Sequence, residues 1–188
     1  KLYDRVRRNP DLTIPELTTH RQVSKYIRPI FRLMNESFVK IYGYSHLEEE
    51  EMNQLANRYL PIVHPRYIKL ALHRSGDLAG FILAIPNVAE GLIKSRGRLL
   101  PLGILHILNA RRRSTKLDTY IGAVKEEFRN RGVDTLLGYS MIETAIRDGF
   151  SILDGHHQLE LNSKIRAEME NVNGYVAKRY RIYQKALG

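Results

Sequence analysis

The chain contains no cysteine. That excludes disulfides, thiolate metal sites and a cysteine nucleophile, and it fits a cytoplasmic protein. Acidic residues are in the minority: 20 Asp and Glu stand against 30 Lys and Arg, a formal net charge of +10. The balance favours anionic partners, such as a phosphorylated cofactor, a nucleic acid or an anionic membrane surface. No apolar run is long enough to span a bilayer, and no signal peptide is visible. Neither a helix-turn-helix pattern nor an RNA-binding aromatic motif occurs, which argues against nucleic acid. The histidines lack ligand-like spacing, and His156 and His157, being adjacent, would point to opposite faces of a strand. No metal is expected.

What is present suits a globular protein. The 188 residues are 43% hydrophobic and 27% charged, enough for one domain with a sizeable core. Residues 1–11 are polar and basic and read as a linker or incoming helix. A short edge strand is expected at 12–17, where Pro15 restricts pairing. Val23, Ile27, Ile30, Phe31, Met34, Phe38, Ile41 and Tyr42 recur at helical spacing, with Pro29 kinking that helix or beginning its main part. Ser45-His46-Leu47-Glu48 has capping-box spacing and predicts the start of a second helix. Segments 68–73 and 78–85 flank Arg74-Ser75-Gly76-Asp77 as a hairpin, and the second is apolar enough for a central strand. A helical insertion is expected at 88–113, apolar over 99–108 and bounded by Arg96, Arg98 and Arg111-Arg112-Arg113. A long strand follows at 117–124. Val133, Leu136, Leu137, Met141 and Ala145 then mark an amphipathic helix ending near Gly149. A strand at 150–155, a helix at 162–171 and a final strand at 176–185 complete the order. The fold class is α/β: one mixed sheet with helices on both faces.

The chemistry concentrates at Arg129-Asn130-Arg131-Gly132-Val133-Asp134. A glycine-containing basic turn between strand and helix is a way to hold a diphosphate. Helix-start N–H groups are unpaired, the helix dipole favours an anion, and arginine adds forked bonds to phosphate. Farther on, Asp154 and His156 lie at a strand end and are candidate general bases; a plain solvated strand end is the alternative. The arginines 111–113 fit a ribose phosphate or an acidic partner, or simply a basic helix C-terminus. The 96–113 stretch has the composition of a membrane-interface element or of the lining of an apolar acyl or substrate channel, or of a helix buried against the sheet or a second domain.

With these residues in place, the sequence resembles the GNAT superfamily of acyl-CoA N-acyltransferases over roughly residues 12–187. The strand, the Phe128-Arg129-Asn130-Arg131-Gly132-Val133-Asp134 turn and the following helix resemble the family's Arg/Gln-x-x-Gly-x-Gly/Ala cradle for the coenzyme A pyrophosphate. Glu160-Leu161-Asn162 and Tyr180-Arg181-Ile182-Tyr183 carry the rest. The chain looks closest to the C-terminal domain of uncharacterised bacterial proteins with two GNAT-like halves, where a segment like Gly97-Arg98-Leu99-Leu100-Pro101 precedes the third long strand. A preceding domain of the same protein is therefore an expected partner, with a GNAT-like domain at 12–188.

The resemblance implies acetyl-CoA, or another acyl-CoA, as co-substrate and a small-molecule or peptide amine as acceptor. It implies that Ala123 and Val124 pair through their backbone with the pantetheine amides, that Arg129 to Asp134 surround the pyrophosphate, and that Asn162 sits near the pantetheine arm. Two positions depart from the pattern. Asp134 replaces a small residue, so it either points away or takes the phosphate's place. Met169 stands seven residues past Asn162, where many members have a tyrosine, and methionine cannot donate a proton. Two functions follow: an acyl-CoA-dependent N-acyltransferase that moves an acetyl group to an amine, or a catalytically silent GNAT-like module that binds acyl-CoA or packs against a sister domain.

Overall fold

The computed structural model describes residues 9–41, 43–60, 63–98, 102–160, 162–183 and 185. Most of the expected leader, together with Tyr42, Leu99, Leu100, Pro101 and Leu161, lies outside them. Two compact units follow one another along the chain, 1–156 and 157–188.

The first unit is built on a five-stranded sheet in the order β1-β2-β3-β4-β5. Its strands are β1 (Leu12–Thr13), β2 (Ile68–His73), β3 (Leu78–Pro86), β4 (Lys116–Val124) and β5 (Ile152–Asp154). Strands β1 to β4 are antiparallel, and β5 joins β4 in parallel. Gly76, at φ +89°, supplies the left-handed residue that the tight β2–β3 turn needs.

Both faces of the sheet are covered. One carries α1 (His20–Ser24) and α2 (Ile27–Phe38), where Val23 and Leu33 pack against Leu70, Phe81 and Ile121. Pro29 sits in the first turn of α2, where a missing N–H costs little, so it begins the helix instead of kinking it. The other face carries α6 (Val133–Arg147). Its Val133, Leu136 and Leu137 meet Ala71 and Ala79, while Met141 and Ala145 meet Ala84 and Leu117. All five apolar positions expected on that helix are buried.

The helix α3 (Glu49–Tyr59) corrects the expected cap. Its N-cap is Glu48, and the reciprocal bonds run between Glu48 and Glu51, not from Ser45. Buried Asn35 on α2 explains the shift. Its amide receives the Leu47 N–H at 2.9 Å and donates to the Leu47 carbonyl at 2.9 Å, and its oxygen also accepts from the Tyr44 hydroxyl at 2.6 Å. These bonds tie the backbone of Leu47 and the side chain of Tyr44 to α2, so the helix starts only after them. Asn35→Ala orphans all three groups and is expected to destabilise the fold by about 2 kcal/mol in denaturant unfolding.

Between β3 and β4 the chain forms a helical hairpin, α4 (Ala89–Ser95) and α5 (Gly103–Arg113). The second unit contains α7 (Ser163–Asn171), capped by Asn162, whose side chain accepts the Ile165 N–H at 3.3 Å. The strand expected at 176–185 is not formed among the described residues. Pairing rather than side-chain propensity makes a strand, so aromatic and β-branched residues alone do not define one.

Candidate active site

Strand β4 joins two halves of the candidate site. Its pairing with β3 slips by one residue, opposing Ile121 to Leu83 but Thr119 to Ala84, so Tyr120 is an extra, bulged residue. On the other side, β5 pairs only with Lys116, Leu117 and Asp118 and then ends. From Tyr120 to Val124 no described strand occupies that edge.

The ladder decides which amides face the opening. Lys125 N–H donates to the Ala79 carbonyl at 2.9 Å. Antiparallel pairs alternate between bonded and non-bonded, so Ala123 is bonded to Phe81, while Gly122 and Val124 turn their N–H and C=O groups outward. Of the two residues expected to pair with a pantetheine arm, Val124 faces the opening and Ala123 faces β3. Gly122, which sequence reasoning missed, is exposed at the same edge.

Past Val124 the chain makes one 3-10 turn (Glu126–Phe128) and swings into α6. Asn130 at φ +59° and Gly132 at φ +79° shape the swing, and Gly132 is the N-cap, with no side-chain cap bond. Asp134 bends back so that its carboxylate accepts the Thr135 N–H at 2.8 Å. No described group accepts from the N–H groups of Val133 and Asp134. Arg129 is drawn inward: its guanidinium pairs with Glu126, and its Nε donates to the Val124 carbonyl at 3.3 Å. Arg131 lies over the Phe128 ring, 5.8 Å from the centroid, and forms no ion pair with a described residue. Across 125–134 three cations meet three acids, so the turn's formal charge is zero. Any pull on an anion there comes from helix-start N–H groups and the dipole. Beside the turn, Glu36, Ser37, Lys125, Glu126, Glu127 and Arg129 line a shallow cleft of about 300 Å³. Its three carboxylates make it a poor phosphate pocket.

At the other end of the opening, where β4 and β5 part, six polar side chains converge. Asp118 is 1% exposed. Its Oδ2 accepts from Asn87 Nδ2 at 2.6 Å and lies 3.4 Å from His156 Nε2. Its Oδ1 has no hydrogen-bond partner; Lys116 Nζ stands 3.6 Å away. A buried carboxylate with an unsatisfied oxygen is costly, and such groups concentrate where the charge is used. His156 is held at φ +50°, its N–H bonded to Asp154 Oδ1 at 2.8 Å and its ring packed on Tyr120 at 4.5 Å between centroids. Thr119 closes the pairing by donating to the Asp154 carbonyl at 2.8 Å.

Asp154 has a different character from its neighbour. Its hydrogen bond with Lys116 holds its carboxyl below the usual range, and the same bond raises the Lys116 ammonium. A carboxylate so held is a weak base at neutral pH. A depressed folded pKa contributes stability above the unfolded value of 3.8 and loses it as pH falls through the folded value. Lys116→Met is expected to remove this acid-limb dependence, leaving stability flatter below pH 3.8 in a pH series of thermal melts.

The structure thus brings Asp154 and His156 together, and adds Asp118, Asn87, Lys116 and Tyr120, which sequence reasoning did not gather. In the sequence, Asp118 lies on the long strand and reads either as facing an acceptor cleft or as an acid at a strand start near water; it is buried. Asn162 and Met169 belong to the second unit.

No family model matches the chain. It is 27% identical over 169 residues to the bacterial ceramide synthase of Caulobacter vibrioides, covering 86% of this chain and 43% of that protein. It is 25% identical over 195 residues to protein YghO of Escherichia coli, covering 100% and 48%. The chain spans less than half the length of these curated relatives. Among solved structures it is similar to the aminoglycoside N-acetyltransferase AAC(6')-Iy in complex with CoA, at a TM-score of 0.58 and 13% identity, covering 94% of this chain and 95% of that one. A putative acetyl transferase from Pyrococcus furiosus gives 0.57 and 16%, covering 94% and 100%. A GCN5-related N-acetyltransferase from Kribbella flavida gives 0.56 and 16%, covering 87% and 82%. The chain has the GNAT acetyltransferase fold.

Proposed function

We propose that this chain is an acyl-CoA-dependent N-acyltransferase. The observation that carries the reading is the open edge of β4 leading directly into the uncapped N-terminus of α6. An acyl-CoA has two amides in its pantetheine arm and a diphosphate beyond them. Gly122 and Val124 would meet the amides, and the turn at Arg129, Asn130, Arg131, Gly132, Val133 and Asp134 would meet the diphosphate. The thioester would then lie toward Tyr120, with edge N–H groups polarising its carbonyl as the oxyanion develops. His156 would take the proton of the attacking amine. Its Nε2 lies 3.4 Å from buried Asp118, which would stabilise the imidazolium that forms. Asp154 serves as an anchor that fixes His156 and Lys116.

The acceptor is an amine. A ceramide is an amide of a long-chain amino alcohol, so the likeness to a protein named ceramide synthase favours a lipid amine over the small-molecule or peptide amines expected from sequence. The test is release of CoA thiol from acetyl-CoA and longer acyl-CoAs with long-chain and short amines. This chain has no cysteine, so a thiol reagent reads CoA alone. Release that depends on both substrates supports the reading. CoA binding without release for any pair supports the silent module instead.

Asp134 is the observation that favours the silent module, since its carboxylate takes one N–H a diphosphate would use. On the catalytic reading it only weakens binding. Asp134→Asn is then expected to tighten CoA by about fivefold, roughly 1 kcal/mol, in titration calorimetry.

A further inference from the structure

The α4–α5 hairpin has an unusual surface. The helices pack on each other through small residues: a Cβ on Gly91 would lie 2.7 Å from the His106 carbonyl oxygen and the Ile107 Cα, and 3.0 Å from Ala110 Cβ. Neither helix packs extensively against another described element. The burial against the sheet that the sequence left open does not occur here. Instead Leu92, Ile93, Leu102, Ile104, Leu105 and Leu108 are exposed, Ile93 at 75% and Leu102 at 61%. On α5, Ile104, Leu105 and Leu108 share one flank, and Arg112 continues it by one turn.

Charge identifies what covers this surface. Lys94, Arg96, Arg98, Arg111, Arg112 and Arg113 surround the apolar residues, and Glu90 is the sole acid between Val88 and Ser114. None of the six cations forms an ion pair with a described residue. Exposed aliphatic side chains ringed by uncompensated Arg and Lys match the boundary between acyl chains and anionic headgroups.

We infer that the α4–α5 hairpin docks on the surface of an anionic lipid bilayer. The hairpin is joined to the candidate active site by Asn87. Its oxygen accepts the Ala89 N–H at the start of α4 at 3.1 Å, and its amide donates to buried Asp118. Docking therefore sets the Asp118–His156 end of the sheet near the interface, where a lipid amine would arrive. That last step rests on the proposed function; the docking itself does not.

The test is cosedimentation of the full 188-residue chain with phosphatidylcholine vesicles, with and without phosphatidylglycerol. Binding is expected only to the anionic vesicles, and to fall at least about tenfold in Ile93→Glu/Leu105→Glu and in Arg96→Gln/Arg112→Gln/Arg113→Gln. All these residues are exposed, and unchanged thermal melts would establish that the variants fold. No binding to either vesicle overturns the proposal, as does binding that the Glu variants leave intact. A dimer in light scattering that the Glu variants dissolve, without vesicle binding, also overturns it and assigns the face to a second copy. A CoA-induced melting shift, measured in parallel, reads the coenzyme site separately, so docking and acyl-CoA chemistry fail independently.

Discussion

Replacing His156 with alanine is expected to lower kcat by about a hundred- to a thousandfold while leaving CoA binding unchanged. The expectation rests on how the ring is held. His156 is pinned at both ends, by Asp154 on its backbone N–H and by Asp118 facing Nε2, and it lies where β5 leaves β4. A residue held in a left-handed conformation by its surroundings is costly, and such cost concentrates at functional sites. Asp118→Asn keeps the shape but removes the charge that would stabilise the imidazolium, so a similar loss is expected from it. Because the two act as one unit, the double variant should be no slower than the slower single variant. Steady-state kinetics at saturating acyl-CoA measures this. Losses that multiply, or an active His156→Ala, would show that the proton leaves by another route.

Phe81→Ala is expected to cost about 3–5 kcal/mol of stability, a large share of the roughly 5–15 kcal/mol that holds such a fold. Phe81 is 1% exposed on the central strand, packed among Leu33, Leu70 and Ala123 beneath α2. Its backbone is the partner of Ala123, which fixes the parity of β4 and so the outward turn of Gly122 and Val124. Denaturant midpoints at constant slope measure the loss. Well below the new midpoint, CoA affinity should return to that of the parent chain, because the ring touches no ligand. A small stability change would mean that the α2 face is loosely packed and cannot set the β4 edge.

Much of this layout could be read from residue spacing, and the exceptions have physical causes. Helix α6 was legible because one face meets a flat sheet, so period and burial coincide. The β2–β3 hairpin was legible because its turn residues and apolar runs agree. Ser45 looked like a cap because its spacing is correct, but Asn35, ten residues earlier, claims the backbone that a cap would need to release. The bulge at Tyr120 leaves no trace in residue type, yet that single extra residue helps decide which amides face the opening. Asp118 was ambiguous because burial depends on Asn87 and His156, which lie 31 and 38 positions away and meet it only in the folded sheet. The hairpin's apolar residues were plain in the sequence, but composition cannot distinguish a buried helix from one exposed to a partner.

A thermal unfolding scan with and without CoA, on the parent chain and on Arg131→Glu, tests the central claim most directly. CoA at about 100 times its dissociation constant should stabilise the parent by roughly 2.7 kcal/mol. Arg131 lies at the turn, over Phe128 and without an ion-pair partner among the described residues; reversing its charge makes the neutral turn acidic and should abolish the shift, while the lost ring contact costs about 0.5–1 kcal/mol in buffer. A parent chain that melts at the same temperature with and without millimolar CoA would contradict the claim that the β4 edge and the α6 turn form a coenzyme site.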